Sequence, residues 1–289
     1  MSLMGEDYVM MRCHIKERVK DFSNLVGKEL TKLIETQVTG GPAAGLVDAI
    51  GYCIFPPGKC LRAFLASSVA QTFGVSIERT LPLCLAIEVL HSYSLVHDDL
   101  PSMDNAPTRR GKNSCHIEHG EALALLTGDA LLTLTFELLS SMDESCTVKC
   151  AIIRVISNAC GHRGMVAGQA LDMGNLEPSL EAVKQIHKLK TARLFSAACE
   201  SGAILAEVST ANQQALASYG KTLGCAFQAK DDLCDINEDD SCLNIARILG
   251  REKTLEYIDY LLHQSEEYLE RIDEDTAVLK ELVAFIRNL

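Results

Sequence analysis

The chain has 289 residues, of which 47% are hydrophobic, and a formal net charge of −12 at pH 7. This length is sufficient for one or two globular domains. No Pro-, Gly- or Ser-rich linker divides it, so we expect one domain that spans residues 1–289. The acidic balance argues against a nucleic-acid-binding protein, because that function needs clustered basic residues.

The cysteines bear on the cellular compartment of the protein, and the apolar stretches bear on whether it spans a membrane. The twelve Cys are scattered, none forms a Cys-x-x-Cys motif, and the N-terminus lacks the apolar core of a signal peptide. This pattern favours a reducing cytoplasm over a secreted disulfide scaffold. No apolar stretch of the required ~20 residues is free of charged or polar interruption, so the sequence predicts no transmembrane helix.

The apolar spacing is helical along most of the chain. Apolar residues recur at three- and four-residue intervals over stretches longer than a strand. In chain order these stretches are 77–96, 122–139, 148–167, 180–208 and 215–233. Alternating patterns bounded by Asn-Gly or Asp-Gly hairpin turns are missing. The sequence therefore predicts an all-α fold, a bundle of roughly ten helices.

Two helical stretches, 123–134 and 197–206, are apolar on nearly every side and are predicted to lie inside the bundle. Helix breaks are predicted where Gly and Pro accumulate. They fall at 40–42, 56–58, Pro101, Pro107 and 177–178.

Two clusters of aspartates each follow an apolar helical stretch. The first contains Asp98, Asp99 and Asp104, and the second contains Asp231, Asp232 and Asp235. Grouped carboxylates beside a buried helix are costly unless a cation binds them. One cluster could equally be a solvated helix end, but two predict opposite walls of one metal site. Oxygen ligands favour Mg²⁺, which also takes phosphate oxygens, so we expect a phosphorylated ligand.

Other metal and phosphate sites fit the sequence poorly. A di-iron bundle needs two Glu-x-x-His motifs, and the chain has one such spacing, Glu88 to His91. His116 and His119 lack the Cys or His partners that a zinc finger requires. No Gly-rich phosphate loop is present. Metal ions and basic side chains are therefore expected to hold the phosphate.

Basic residues stand close to the acidic clusters. Adjacent arginines such as Arg109 and Arg110 usually mark a solvated turn, but beside carboxylates they can bind phosphate oxygens bidentately. Lys59 and Arg62 open a predicted helix, whose N-terminus is a natural anion site. Lys190, Thr191, Arg193 and Gln228 occupy two later helical stretches, and Gln228 lies three residues before Asp231.

With these motifs the chain resembles the trans-isoprenyl diphosphate synthases, and among them the bacterial farnesyl diphosphate synthases. The resemblance covers nearly the whole chain and rests on the two acidic motifs, Gly-Lys-x-x-Arg at 58–62 and Lys-Thr at 190–191. It implies antiparallel helices around a deep central cavity, usually as a homodimer. It also implies a Mg²⁺-dependent head-to-tail condensation of isopentenyl diphosphate with dimethylallyl or geranyl diphosphate, which yields farnesyl diphosphate and pyrophosphate.

The resemblance also implies a role for each site residue. About three Mg²⁺ ions would be bound, two by Asp98 and Asp104 with Asp99, and the third by Asp231 with support from Asp232 and Asp235. The allylic diphosphate would be held by Arg109, Lys190, Thr191, Gln228 and Lys230. Isopentenyl diphosphate would be held by Lys59, Arg62, His91 and Arg110. Asp98, Asp99, Asp104, Lys190, Asp231 and Asp232 are the implied catalytic residues.

Tyr93 and Ser94 are predicted to set the product length. They precede Asp98 by five and four residues, which places them about 6 to 7.5 Å further along a helix. In the family an aromatic residue at the first of these positions limits growth, so the resemblance implies a fifteen-carbon product. The alternative is that Tyr93 is a core aromatic with no role in selection.

The chain departs from the family pattern in two places. Ala106 and Pro107 stand where two further acidic residues are usual. Both positions lie outside the three aspartates of the first cluster, which are the implied metal ligands. The segment 235–244 is acidic and contains no lysine, whereas related enzymes carry a lysine-bearing loop there that closes over the diphosphate.

Three alternative functions remain open. A geranylgeranyl diphosphate synthase would differ only in product length. A terpene cyclase needs no second diphosphate pocket, and Lys59, Arg62 and Arg110 argue against it. A non-catalytic partner subunit would be expected to lack an aspartate from one motif, and here both motifs are complete.

Overall fold

The computed structural model describes residues 4–38, 43–174, 176–236 and 243–289. Within these ranges the chain forms fourteen α-helices, two π-helical segments and one small hairpin, which confirms the predicted all-α class. The first half contains α1 (Met4–Leu33), a π-helical segment (Ile34–Val38), α2 (Ala44–Ile54), α3 (Leu61–Thr72), α4 (Ile77–Asp98), β1 (Thr108–Arg109), β2 (Lys112–Asn113), α5 (Cys115–His119) and α6 (Glu121–Ser140). The second half contains α7 (Cys146–Cys160), α8 (Met165–Asp172), α9 (Leu180–Ile186), a π-helical segment (His187–Ala192), α10 (Arg193–Leu205), α11 (Thr210–Cys234), α12 (Ile245–Leu249), α13 (Arg251–Leu269) and α14 (Ala277–Arg287).

One predicted helix is in fact two. The stretch 148–167 is broken after Cys160, and α8 begins at Met165. The turn is tight, because the Gly164 N–H donates to the Gly161 carbonyl at 2.9 Å. A Cβ on Gly164 would lie 1.9 Å from the Ala159 carbonyl oxygen. Gly161 and Gly164, three residues apart, were the sequence signal of this break, and the prediction of one continuous helix overlooked it.

The stretch 180–208 is helical to Leu205, as predicted, but widens into a π-helical segment at His187–Ala192. This segment carries Lys190 and Thr191. The α8 backbone approaches it closely, since a Cβ on Gly168 would lie 2.2 Å from the Lys190 nitrogen. Single π turns inside α-helices are frequent at functional sites.

The predicted breaks at 56–58, Pro101, Pro107 and 177–178 all lie between helices, and the break at 40–42 lies outside the described residues.

The hairpin formed by β1 and β2 was not predicted. Its two turn residues, Arg110 and Gly111, have φ of 53° and 76°, as a two-residue hairpin turn requires. The sequence signal is weak because Arg rarely adopts positive φ.

The burial of the two most apolar helices differs. Almost every residue of α10 is buried, as predicted. The prediction for 123–134 was wrong, because Leu125 and Leu126 of α6 are 48% and 53% exposed.

Within the described ranges, α6 is the one helix long and apolar enough to cross a membrane, with 39% of its most apolar window buried. A single helix of this kind is weak evidence, so there is no clear membrane span.

The chain divides into two compact units. One comprises residues 1–17, 65–80 and 146–289, and its centre is α11. Tyr219 of that helix is completely buried and donates a hydrogen bond to the Leu279 carbonyl of α14 at 2.9 Å. The other unit comprises residues 18–64 and 81–145. In it Phe22 of α1 meets Phe64 of α3 edge to face, 5.3 Å between ring centroids. The single-domain assignment stays a prediction.

Candidate active site

The first aspartate cluster forms a tight turn at the end of α4. Asp98 is the last residue of the helix, and the chain folds back so that the Asp104 N–H donates to the Asp98 carbonyl at 2.9 Å. Asn105 closes the turn with φ of 48° and an N–H bond to the Leu100 carbonyl at 3.0 Å. The backbones of Asp98 and Asp104 are thereby brought together.

Asp99 and Arg109 bind each other. The Arg109 Nη2 donates to the Asp99 Oδ1 at 2.6 Å, and its Nε reaches the two carboxylate oxygens at 3.1 and 3.2 Å. The hydrogen bonds from Arg109 to Asp99 raise the pKa of the Arg109 guanidinium. The pair fixes the hairpin to the end of α4. The predicted roles of both residues in metal and allylic diphosphate binding stay predictions.

Arg110 lies on the other side of the hairpin, at the end of α2. Its Nη1 donates to the carbonyls of Ile54 and Pro56 at 3.3 and 3.1 Å. A Cβ on Gly58 would lie 3.3 Å from the Arg110 Nη2, so glycine permits this approach. Arg110 therefore stands beside the segment that leads through exposed Lys59 into α3.

Arg62 and His91, two further residues predicted for isopentenyl diphosphate, are in contact. The Arg62 Nη1 donates to the His91 Nε2 at 3.3 Å, so this ring nitrogen must be unprotonated. The structure thus brings Arg62 and His91 together.

Glu88 belongs to the same cluster, and sequence reasoning missed this role. Its side chain is buried and accepts a hydrogen bond from the Ala63 N–H at 3.4 Å. Burial raises the pKa of the Glu88 carboxyl, while Arg62 and Arg110 act in the opposite direction. The signal was a carboxylate inside the apolar stretch of α4, three residues before His91. It marks a charge partner for arginines, not the di-iron ligand considered above.

The cluster predicts how stability changes with pH. Burial and the neighbouring Arg62 and Arg110 hold the pKa of His91 well below its usual 6.5. The unfolded chain takes up a proton at His91 as the pH falls through about 6.5, and the folded chain does not. The stability contributed by neutral His91 is therefore present above that pH and lost below it.

We expect His91→Gln to gain stability relative to wild type as the pH falls from 7.5 to 5.5. The difference in free energy of unfolding should shift in favour of the variant by about 1.4 kcal/mol for each pH unit below 6.5. Urea denaturation at a series of pH values measures it. A difference that does not vary with pH would contradict the assignment of a depressed pKa.

The second aspartate cluster closes α11. Asp231 lies in its last turn, and Asp235 follows the helix with its N–H bonded to the Asp231 carbonyl at 2.9 Å. Asp232 points to a different environment. It accepts hydrogen bonds from the His187 Nε2 at 3.1 Å, the Gln228 Nε2 at 3.2 Å and the Ile245 N–H at 2.7 Å.

These contacts make Asp232 an anchor for the chain that follows α11. Burial acts to raise its pKa, but the hydrogen bond and charge of His187, together with the hydrogen bonds from Ile245 and Gln228, hold the pKa below its usual value. Asn244 joins the same network by donating to the Asp232 carbonyl at 2.9 Å. The predicted support of metal binding by Asp232 stays a prediction beside this observed structural role.

We expect Asp232→Ala to destabilise the fold by about 3 kcal/mol, because it removes three charge-assisted or buried hydrogen bonds at once. The matched substitution Asp235→Ala, at an exposed residue, should cost less than about 1 kcal/mol. Urea denaturation without metal compares the two. Equal losses would show that the Asp232 network does not stabilise this region.

The residues predicted for the allylic diphosphate form two contacts around the π-helical segment. The Lys190 Nζ donates to the Asp172 Oδ2 at 2.6 Å, and the Thr191 Oγ1 donates to the Gln228 Oε1 at 2.7 Å. Asp172 was missed by sequence reasoning, and its signal was an acidic residue that ends an apolar helix. The Lys230 Nζ instead contacts the Arg287 carbonyl of α14 at 3.4 Å. The diphosphate roles of these residues stay predictions.

The carboxylates can be tested for their fit to Mg²⁺. Within the ranges that the structure describes, no group of three or more His, Cys, Asp or Glu side chains forms a ready metal cage. Mg²⁺ does not require one, since it is usually held by one or two carboxylates together with waters and substrate phosphates. The turn that joins Asp98 to Asp104 suits this mode of Mg²⁺ binding.

The acidic segment 235–244, which contains no lysine, lies largely at 237–242, outside the described residues.

Tyr93 and Ser94 lie inside the helix that ends at Asp98. Tyr93 is 7% exposed and meets His97 edge to face, 5.2 Å between ring centroids. The Ser94 Oγ donates to the His91 carbonyl at 2.9 Å. Both side chains are buried, as residues of a cavity floor would be. The prediction that they limit product length is untested by these contacts.

Comparison with known proteins gives consistent matches. Residues 44–247 match the family model described as Polyprenyl synthetase. The farnesyl diphosphate synthase of Micrococcus luteus is 34% identical over 278 residues, 93% of each chain. The geranylgeranyl diphosphate synthase of Cyanophora paradoxa is 31% identical over 273 residues, 88% of this chain and 91% of that protein. The crystal structure of an FPP/GFPP synthase from Zymomonas mobilis superposes with a TM-score of 0.87 at 32% identity, covering 93% and 99% of the two chains.

Proposed function

The chain belongs to the polyprenyl synthetase family and is a trans-prenyl diphosphate synthase; from that premise we propose that it makes farnesyl diphosphate. The reaction is the head-to-tail condensation of isopentenyl diphosphate with dimethylallyl or geranyl diphosphate, with release of pyrophosphate. The observation that supports condensation is the cluster of Arg62, His91 and Arg110 beside Glu88, and buried Tyr93 supports the fifteen-carbon product. A second, metal-independent diphosphate pocket is needed for condensation and not for cyclisation.

The family uses a divalent metal, and the carboxylates here suit Mg²⁺. Asp98, Asp104 and Asp231 are the residues that would hold about three such ions. When bound, Mg²⁺ neutralises the charge that develops on the leaving diphosphate. Asp99 and Asp232 support these carboxylates from buried positions. Arg109 holds Asp99 in place, and His187 holds Asp232.

The remaining steps depend on side chains of this chain. Arg62 and Arg110 bind the isopentenyl diphosphate through charge-assisted hydrogen bonds, and neutral His91 keeps Arg62 in place. Ionisation of the allylic carbon–oxygen bond is followed by attack of the isopentenyl double bond. The released diphosphate then accepts the proton that is lost. Apolar residues of α4, such as Val89 and Leu90, exclude water, which would otherwise trap the cation.

Incubation with labelled isopentenyl diphosphate and either dimethylallyl or geranyl diphosphate tests this function. We expect label in a fifteen-carbon diphosphate from both allylic substrates. Products that carry no label would identify a terpene cyclase. No turnover by the metal-loaded protein would identify a non-catalytic subunit. A twenty-carbon main product would identify a geranylgeranyl diphosphate synthase, for which the similarity to the enzyme of Cyanophora paradoxa is the supporting observation.

We also propose that the protein is a homodimer. The exposed apolar side chains of α5 and α6 support this, since Ile117, Leu125 and Leu126 are between 48% and 53% exposed. A face of this kind on a globular protein marks an interaction surface, and a second copy would cover it.

Leu126→Glu is therefore expected to shift the protein toward monomer, because it places a charge in the proposed interface. Sedimentation equilibrium measures the mass. The matched control is Leu255→Glu at an exposed leucine of α13, which should leave the dimer unchanged. A wild-type protein that sediments as a monomer at micromolar concentration would contradict the proposal.

We place the enzyme in the cytoplasm. The scattered cysteines support this location, and the ten that the structure describes in detail are all thiols. Its substrates are the two small diphosphates. Its acidic composition argues against a nucleic-acid partner.

A further inference from the structure

A cavity of about 330 Å³ lies between α7 and α10, within one compact unit of the fold. Arg154 and Asn158 of α7 line one side, Arg163 follows from the turn after that helix, and Arg193 and Glu200 line the opposite side on α10. Val155, Ala159 and Ala197 form its apolar surface. The volume falls within the range of small-molecule sites.

Arg193 has an unsatisfied donor. Its Nε is buried and has no hydrogen-bond partner among the described residues. Buried N–H groups without an acceptor are unfavourable and rare in folded proteins. A ligand with acceptor oxygens would satisfy this group.

The other two arginines are available to the same ligand. Arg163 also lines the cavity, and its Nε donates to the His162 Nε2 at 3.1 Å. Within the part of the chain that the structure describes, the ion pairs of arginine side chains involve Arg79, Arg109 and Arg287 and neither Arg154 nor Arg193. The carboxylate whose charge acts on Arg154 and Arg193 is that of Glu200 in the same cavity.

Among the described residues that line the cavity, Glu200 is the single carboxylate. Burial raises its pKa, while Arg193 and Arg154 act to lower it. With three guanidinium groups against one carboxylate, the cavity keeps an excess of positive charge. Guanidinium groups match tetrahedral oxyanions, because each can donate two parallel hydrogen bonds.

We propose that this cavity is a binding site for a small phosphate-bearing anion, separate from the condensation site. Its lining shares no residue with the two aspartate motifs or with the cations assigned above to either substrate. Arg193 donates its buried N–H to the anion, Arg154 and Arg163 close over it, and Glu200 weakens binding by repulsion. The proposal does not depend on the product or on the reaction assigned to the enzyme.

Binding of inorganic diphosphate to the full-length protein tests the site. Isothermal titration calorimetry is run in EDTA, so that metal-dependent binding at the aspartate motifs does not contribute. Two sites per chain then remain for diphosphate, the metal-independent isopentenyl diphosphate pocket and this cavity. We expect the cavity site to have a submillimolar dissociation constant, about tenfold weaker in Arg193→Gln. Glu200→Gln should bind several-fold more tightly, because it removes the repulsive charge and keeps the shape.

The opposite signs of the two variants exclude a general loss of folding as the cause. Arg110→Gln serves as the matched control, since it should weaken diphosphate binding at the isopentenyl diphosphate pocket and leave binding at the cavity unchanged. Loss of binding in Arg110→Gln, with no change in Arg193→Gln and Glu200→Gln, would overturn the proposal. Equal affinity for acetate would overturn the assignment to the phosphate class, and a wild type that binds no diphosphate in EDTA would overturn the site itself.

Discussion

Asp98→Ala and Asp231→Ala are each expected to abolish condensation while the protein stays folded. Each substitution removes a carboxylate that would hold metal against the leaving diphosphate. Electrostatic stabilisation of a leaving group is commonly the largest contribution to catalysis, so the expected loss in kcat/KM is about 10³-fold or more. Product formation from labelled isopentenyl diphosphate measures it.

The stability of these variants distinguishes a metal site from a structural one. Grouped carboxylates repel one another when no cation is bound, so removal of one should keep or raise the melting temperature in EDTA. Mg²⁺ together with a bisphosphonate should raise the melting temperature of wild type by mass action. It should not do so in either variant. Circular dichroism melts with and without these ligands give both results.

Asp273→Ala is the matched control, because Asp273 is exposed and lies outside both motifs. It should retain full activity and the stabilisation by Mg²⁺ with bisphosphonate. Unfolding of Asp98→Ala or Asp231→Ala without metal would show that these aspartates hold the fold together, and the metal site would then have to be placed elsewhere.

Asp231 and Asp232 show how far the sequence could lead. Two aspartates at the end of an apolar stretch predict a charged helix end, and α11 does end there. The sequence does not distinguish the two side chains, because the difference arises from packing. Asp232 is buried against His187, 45 residues away in the chain. Asp231 is the preceding residue, so its side chain leaves the helix in a different direction.

The same reason explains the other residues that were missed. Lys190 pairs with Asp172 across 18 residues, and Glu88 reaches the α3 backbone across 25. Such pairs depend on which helix faces which, and the apolar period of one helix carries no information about its neighbour. The long helices themselves were predictable, since their period is local. The turn between α7 and α8 also had a local signal, the two glycines Gly161 and Gly164, which the prediction of one helix overlooked.

Tyr93→Ala is expected to lengthen the product from fifteen carbons to twenty or more. Tyr93 lies five residues before Asp98 on α4, about 7.5 Å along the helix from the proposed diphosphate end. A chain that grows by one five-carbon unit beyond farnesyl would meet the tyrosine ring. Overpacking of a buried site typically costs 1–3 kcal/mol, which is enough to favour product release over another cycle.

Tyr93→Phe is the matched control for this experiment. It keeps the ring and the edge-to-face contact with His97, so the product should stay at fifteen carbons. Thin-layer or liquid chromatography of the dephosphorylated products gives the chain lengths. Removal of a buried aromatic side chain costs about 3–5 kcal/mol of stability, so the variants should be compared at a temperature where circular dichroism shows Tyr93→Ala to be folded.

The outcome separates product specificity from reaction class. Both farnesyl and geranylgeranyl diphosphate synthases are among the relatives of this chain, so family membership leaves the product length open. If wild type already makes twenty carbons, or if folded Tyr93→Ala still stops at fifteen, then Tyr93 is a core residue and another side chain forms the floor. Neither result would alter the condensation itself, because the proposed mechanism assigns that step to the aspartate motifs and to the cations around Arg62.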